Sequence, residues 1–146
     1  MNKSEFDQLR NLPGKVIAAD IAFSERKDVG SDTLVFDQVE VQNSLEWDVV
    51  LNGTYKPSIP SVTFNFVIRG TGPICRVCVN GTVHGDAGRT HKHDLQTEND
   101  PRLNLPIAVA RPDLNGKSVR EIWQTLCFQA NISHTGVLKD PEGGNS

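Results

Sequence analysis

The sequence is short of several things that would decide its class at once. It has no apolar run long enough for a membrane-spanning helix; its longest apolar stretches are strand-sized. It has no excess of positive charge: a formal net charge of −3 and a pI near 5.8 argue against wholesale electrostatic binding to nucleic acid, though not against a local basic patch. It has only three cysteines, an odd number, which suits a reducing compartment better than a disulfide framework. Cys75 and Cys78 form a C-x-x-C with no second pair, so a four-cysteine zinc site is excluded, and the pair reads as small strand residues. The polar start, MNKSEFDQLR, lacks the pattern of a secretory signal, and the expected location is cytoplasmic. Repeats and low-complexity tracts are absent too.

What is present fits one domain of ordinary composition. Its 146 residues are 37% hydrophobic and 23% charged, enough to enclose a core. Residues 4–12 have helical spacing at Phe6 and Leu9, with Ser4 as the expected cap and Asp7 three residues on; Pro13-Gly14 stops the helix. Residues 15–23 read as one β run and 24–32 as a loop or hairpin connection. Residues 33–41 alternate in the strand manner with a phase slip near Asp37, the sign of a bulge. Residues 46–51 form another strand, with a type I′ turn expected at Asn52-Gly53.

The prolines make 55–60 a loop or an edge. Residues 61–69 then place Val62, Phe64, Phe66 and Ile68 on one face. Residues 74–79 follow as a strand, and Asn80-Gly81 is read as a second two-residue turn. The best helix is late: Ser118 and Glu121 make a capping box, and Val119, Ile122, Trp123, Leu126 and Ala130 form one apolar stripe. Together these give an α+β domain over residues 1–139. A central antiparallel meander carries a short N-terminal helix and a C-terminal helix packed on one face, and 140–146 is expected to be a mobile tail.

Chemistry concentrates in residues 74–94, ICRVCVNGTVHGDAGRTHKHD, which hold three of the four histidines. His91 and His93 are two apart, so in a strand both rings project to one face, their Cα atoms roughly 6–7 Å apart. The two rings can serve as acid and base, because imidazole titrates near neutrality; with a third ligand, His84, Asp86 or Asp94, they can hold zinc, or iron in a two-histidine, one-carboxylate arrangement; or they stand as polar residues of a solvated hairpin. A two-residue turn at Asn80-Gly81 sets Val77 against His84 and Arg76 against Gly85, turning Arg76 away from the His84 face. Arg76, Arg89 and Lys92 can bind a phosphate or carboxylate, or pair with Asp86, Asp94, Glu98 and Asp100. His134 stands apart and reads as a surface residue.

The pattern Arg76-x-x-x-Asn80-Gly81-x-x-His84, then Thr90-His91-Lys92-His93 and a helix ending Cys127-Phe128-Gln129-Ala130-Asn131-Ile132, resembles a family of small bacterial, phage and mobile-element proteins catalogued as a domain of unknown function. It is more distantly similar to TumE-type toxins. The resemblance covers the second half of the chain. It implies a small α+β domain and, through the toxins, metal-independent RNA cleavage, with a cognate antitoxin as a possible partner. Arg76 would then steady the phosphate, and His84, His91 and His93 would supply acid and base, with Arg89 and Lys92 binding substrate.

This endoribonuclease reading stands first and needs no cofactor or metal; its partner is RNA. The alternative is a counter-defence inhibitor of anti-CRISPR type, whose acidic face (Asp86, Asp94, Glu98, Asp100) occupies a groove on a host defence protein. A metal site built from His84, His91 and His93 ranks third, for want of a water-activating glutamate at a convincing spacing. None of these involves a membrane.

Overall fold

The computed structural model describes residues 1–25, 32–95 and 105–142. Its centre is a seven-stranded sheet, β3 (Ser24–Glu25), β4 (Leu34–Val41), β5 (Val49–Lys56), β6 (Ser61–Ile68), β7 (Gly72–Val79), β8 (His91–Asp94) and β9 (Ala108–Ala110), in chain order and antiparallel throughout. With a helix near each end this is the α+β meander that the alternating pattern foretold. Along β6, Val62, Phe64, Phe66 and Ile68 are buried and the residues between them are not. The bulge falls where the phase slips: the β4–β5 register shifts between Phe36 and Val39, and Gln38 takes a positive φ of 57°.

Helix α2 (Val119–Gln129) starts at Ser118 with the expected capping box to Glu121, and buries Val119, Ile122, Trp123 and Leu126 against the β6 face. The Phe64 and Trp123 rings lie 5.2 Å apart at the centre of that contact. Truncating Phe64, which is fully buried, would cost about 3–5 kcal/mol.

Several local expectations are corrected. The first helix, α1 (Lys3–Asn11), is capped by Asn2 and Glu5, not by Ser4 and Asp7. Asn caps as well as Ser, and Asn2-x-x-Glu5 carries the same box two residues earlier. Asn52-Gly53 makes no turn but lies inside β5: a Cβ on Gly53 would fall 2.1 Å from the Phe36 ring, so the glycine is there to admit the ring.

The run 15–23 is not one strand. It splits into β1 (Lys15–Ile17) and β2 (Ile21–Ala22), which pair in parallel with β10 (Ile132–His134) and β11 (Leu138–Lys139) after α2. Gly136 permits the join, since a Cβ there would meet the Ala19 carbonyl at 2.4 Å.

The end of the chain is packed through Glu142. Asp140 lies 3.9 Å from Arg120, and the Glu142 carboxylate accepts the Val119 amide at 2.7 Å, one of the orphan donors of α2. The expected tail is therefore anchored over 140–142; residues 143–146 and most of the 24–32 loop lie outside the described residues. No helix among the described residues is long and apolar enough to cross a membrane.

Candidate functional site

The β7–β8 ladder pairs Cys75 with Asp94, Arg76 with His93, Val77 with Lys92, and Cys78 with His91. This overturns the two-residue turn. Asn80, at φ 58°, leaves the strand, and residues 80–90 form a longer connection. It is closed by Gly81 N–H to Arg89 O (2.9 Å), His84 N–H to Gly88 O (3.1 Å) and Asn80 N–H to Thr90 Oγ1 (3.0 Å), around a 3-10 turn at Gly85–Ala87.

The consequence for facing is direct, because opposed residues of a ladder project to the same side. Arg76, Cys78, His91 and His93 share the face away from the helices. Val77, Lys92, Cys75 and Asp94 share the helix face. Arg76 is thus on the histidine side, not turned from it. Lys92 is not: it sits on the helix side, 3.2 Å from the Asp94 carboxylate. Arg89 is exposed and donates to the Gly81 carbonyl at 3.2 Å.

The three histidines meet. His84 comes from the connection, His91 and His93 from β8, and their ring centroids are 4.6, 4.8 and 4.9 Å apart. One nitrogen from each ring lies within 4.8 Å of the others. His91 and His93 are 0% and 2% exposed, whereas His84 is exposed.

Each buried ring is oriented by a main-chain carbonyl: His91 Nδ1 by Gly88 O at 3.0 Å, His93 Nδ1 by Leu105 O at 2.9 Å. A carbonyl only accepts, so in the neutral rings Nδ1 carries the proton and Nε2 offers its lone pair. Both Nε2 atoms are buried with no hydrogen-bond partner.

Burial is the main reason both rings resist protonation. It outweighs the Gly88 carbonyl at His91, and the Arg76 guanidinium adds to it at His93, whose pKa falls to about 4. Neutral imidazoles with unpartnered Nε2 lone pairs are the form in which histidine binds a metal. In a tetrahedral zinc site with Zn–N near 2.1 Å the donors stand about 3.4 Å apart, so binding an ion asks the three rings to close by at most about 1.4 Å.

Beside the rings the same face continues as a polar ladder. Asn65 is opposite Arg76, Thr63 opposite Cys78, and Asn52 opposite Asn65. The Asn65 Oδ1 is buried without a partner. Among the described residues no carboxylate pairs with Arg76. The carbonyls of Gly88 and Leu105 and the Asn65 amide went unforeseen; only Asn65 left a signal, as a polar position in the β6 alternation.

His134 lies apart from the cluster as expected, but its ring is a structural bridge. It accepts from Trp123 Nε1 at 3.0 Å and donates from Nε2 to the Ala19 carbonyl at 2.9 Å. Cys75 and Cys78 point to opposite faces, and burial pushes the Cys75 thiol up to about 12.

No known protein family, curated protein or solved structure matches the chain, so the resemblance to the small mobile-element proteins and toxins stands on its quoted residues alone.

Proposed function

We propose that His84, His91 and His93 bind one divalent transition-metal ion, with zinc the first candidate, and that the ion keeps a position open toward the Arg76 face. The observation that carries this reading is the pair of buried, partnerless Nε2 atoms in a cluster where one nitrogen of each of the three rings lies within 4.8 Å of the others. A buried polar atom without a partner is costly, and a metal satisfies two at once. Main-chain carbonyls on both Nδ1 atoms are the outer-shell support that metal-bound histidines carry. Three protein ligands leave tetrahedral zinc one site for water, whose pKa the ion brings near 7; Arg76 beside it suits an anionic substrate.

The test is metal analysis of protein purified without a histidine tag, followed by zinc titration. One zinc per chain and a raised melting temperature are expected, both lost in His91→Ala. A chain that neither retains nor takes up zinc, cobalt or nickel would end this reading.

A second reading, the metal-independent endoribonuclease, is favoured by the facing of Arg76. It puts a guanidinium on the side where two imidazoles could work on a phosphodiester. One buried ring would take the 2′-hydroxyl proton, the exposed His84 would protonate the departing 5′ oxygen, and Arg76 would meet the charged phosphorane. Cleavage of total cellular RNA in excess chelator, abolished by His91→Ala, would establish it over the metal reading.

Of the acidic face that the inhibitor reading needs, Asp86 alone is exposed among the described residues. Asp94 is buried beside Lys92, and Glu98 and Asp100 lie outside the described residues.

A further inference from the structure

The helix side of the sheet holds a second feature, separate from the histidines by the full thickness of the sheet. Between α1, α2 and strands β6–β8 lies a cavity of about 80 Å³. Its floor is apolar, with Phe6, Phe66, Ile74, Val77 and Leu126 among its walls. A cavity near 150 Å³ admits benzene, so this one has room for an aliphatic group of about three or four carbons.

Its mouth is cationic. Arg10, Lys15, Lys92 and Arg111 reach it, against the single carboxylate of Asp94. Two of these cations are committed elsewhere. Lys15 donates to the carbonyls of Leu9, Arg10 and Leu12, and Arg111 is held by Asp113 and Gln129. Lys92 is balanced by Asp94. The Arg10 guanidinium has no hydrogen-bond or ion-pair partner among the described residues. An apolar chamber with surplus positive charge at its entrance complements a ligand with a hydrocarbon end and an anionic head.

We propose that this cavity binds a short-chain aliphatic carboxylate, with its hydrocarbon end against Phe66, Val77 and Leu126 and its carboxylate at Arg10 and the rim of Lys92 and Arg111. The site shares no residue with the histidine cluster and does not depend on a metal there.

The experiment is a titration of the full chain with butyrate, n-butanol and octanoate, followed by the methyl NMR signals of Ile74, Val77 and Leu126. Butyrate should shift these signals saturably, and n-butanol of the same length should bind more weakly. Arg10→Gln, an exposed change at the end of α1, should weaken butyrate by about 5-fold, the scale of one partly exposed ion pair. Ala130→Leu, which fills the cavity from the end of α2, should abolish binding while the rest of the spectrum stays dispersed.

Methyl signals unmoved by butyrate would overturn the proposal. So would Arg10→Gln binding butyrate as tightly as wild type, or octanoate binding more tightly than butyrate. Zinc uptake is measured on the same samples, so loss of the metal reading and loss of this one are read separately.

Discussion

Arg76 stands directly across the β7–β8 ladder from His93, so guanidinium and imidazole rise from the same face of the sheet. Directly opposed Cβ atoms lie about 4.5–5.5 Å apart, close enough for the fixed positive charge to oppose a proton on the ring. Arg76 thereby helps keep His93 neutral, which a metal ligand must be and a general acid must not.

His84 and His91 should part company on substitution. His84 is exposed and its ring makes no hydrogen bond among the described residues, so His84→Ala should leave the metal-free protein within about 0.5 kcal/mol of wild type. It should still weaken zinc by at least about 100-fold, since even outer-shell partners are worth 10–100-fold. His91→Ala should lose both zinc and stability, by about 2–4 kcal/mol, because it empties a buried volume. Calorimetric titration and urea melts check both. Equal destabilisation by the two changes would contradict the assignment.

The metal-free protein should lose stability on mild acidification. His93 has a folded pKa of about 4, below the ordinary 6.5, and His91 is lowered in the same direction. The unfolded chain therefore binds protons first, and the stability these rings confer is full above pH 6.5 and lost as pH falls through 4. The urea midpoint should fall between pH 7 and pH 5, and fall less in His93→Asn. A midpoint flat across that range would count against burial of neutral rings.

Thiol chemistry should single out Cys78. Burial holds Cys75 and Cys127 as thiols, both pushed up to about 12, so neither supplies thiolate at pH 8. Iodoacetamide at that pH should label Cys78 alone, read by peptide mass. Oxidation should not join Cys75 to Cys78. Three residues apart in a strand, their Cα atoms stand about 10 Å apart and face opposite ways, beyond the reach of a disulfide.

Gly53→Ala should destabilise by about 1–3 kcal/mol through its clash with the Phe36 ring, and Phe36→Leu in the same chain should recover part of the loss. A urea melt of the two single variants and the double variant measures the coupling. Simple additivity would mean that the ring and the glycine do not constrain each other.

These positions also show what the sequence could and could not reveal. Patterns closing within a few residues were legible: the alternation of β6, the slip before Val39, and the Ser118–Glu121 box of α2 each depend on local geometry alone. Asn-Gly misled twice. At 52–53 the glycine answers to an aromatic ring arriving from another strand; at 80–81 the asparagine opens an eleven-residue connection instead of closing a hairpin, as the β7–β8 pairing shows. That one error in the turn misplaced Arg76.

The histidines were visible as residue types in a suggestive spacing. Their neutral state and unpartnered Nε2 lone pairs depend on the Gly88 and Leu105 carbonyls, which a linear pattern does not announce.

The parallel pairings of β1 with β10 and β2 with β11 have a kinetic meaning. They join residues more than one hundred positions apart, so until the later strands exist β1 has only the antiparallel bridge of Val16 to Gln42 and neither ladder can form. On the ribosome the meander can assemble early, while Ile17 and Ile21 wait for a segment made only after α2. Closure of those two ladders is then the late event of folding, and a chain cut after α2 would leave the N-terminal strands open to pair with a neighbour.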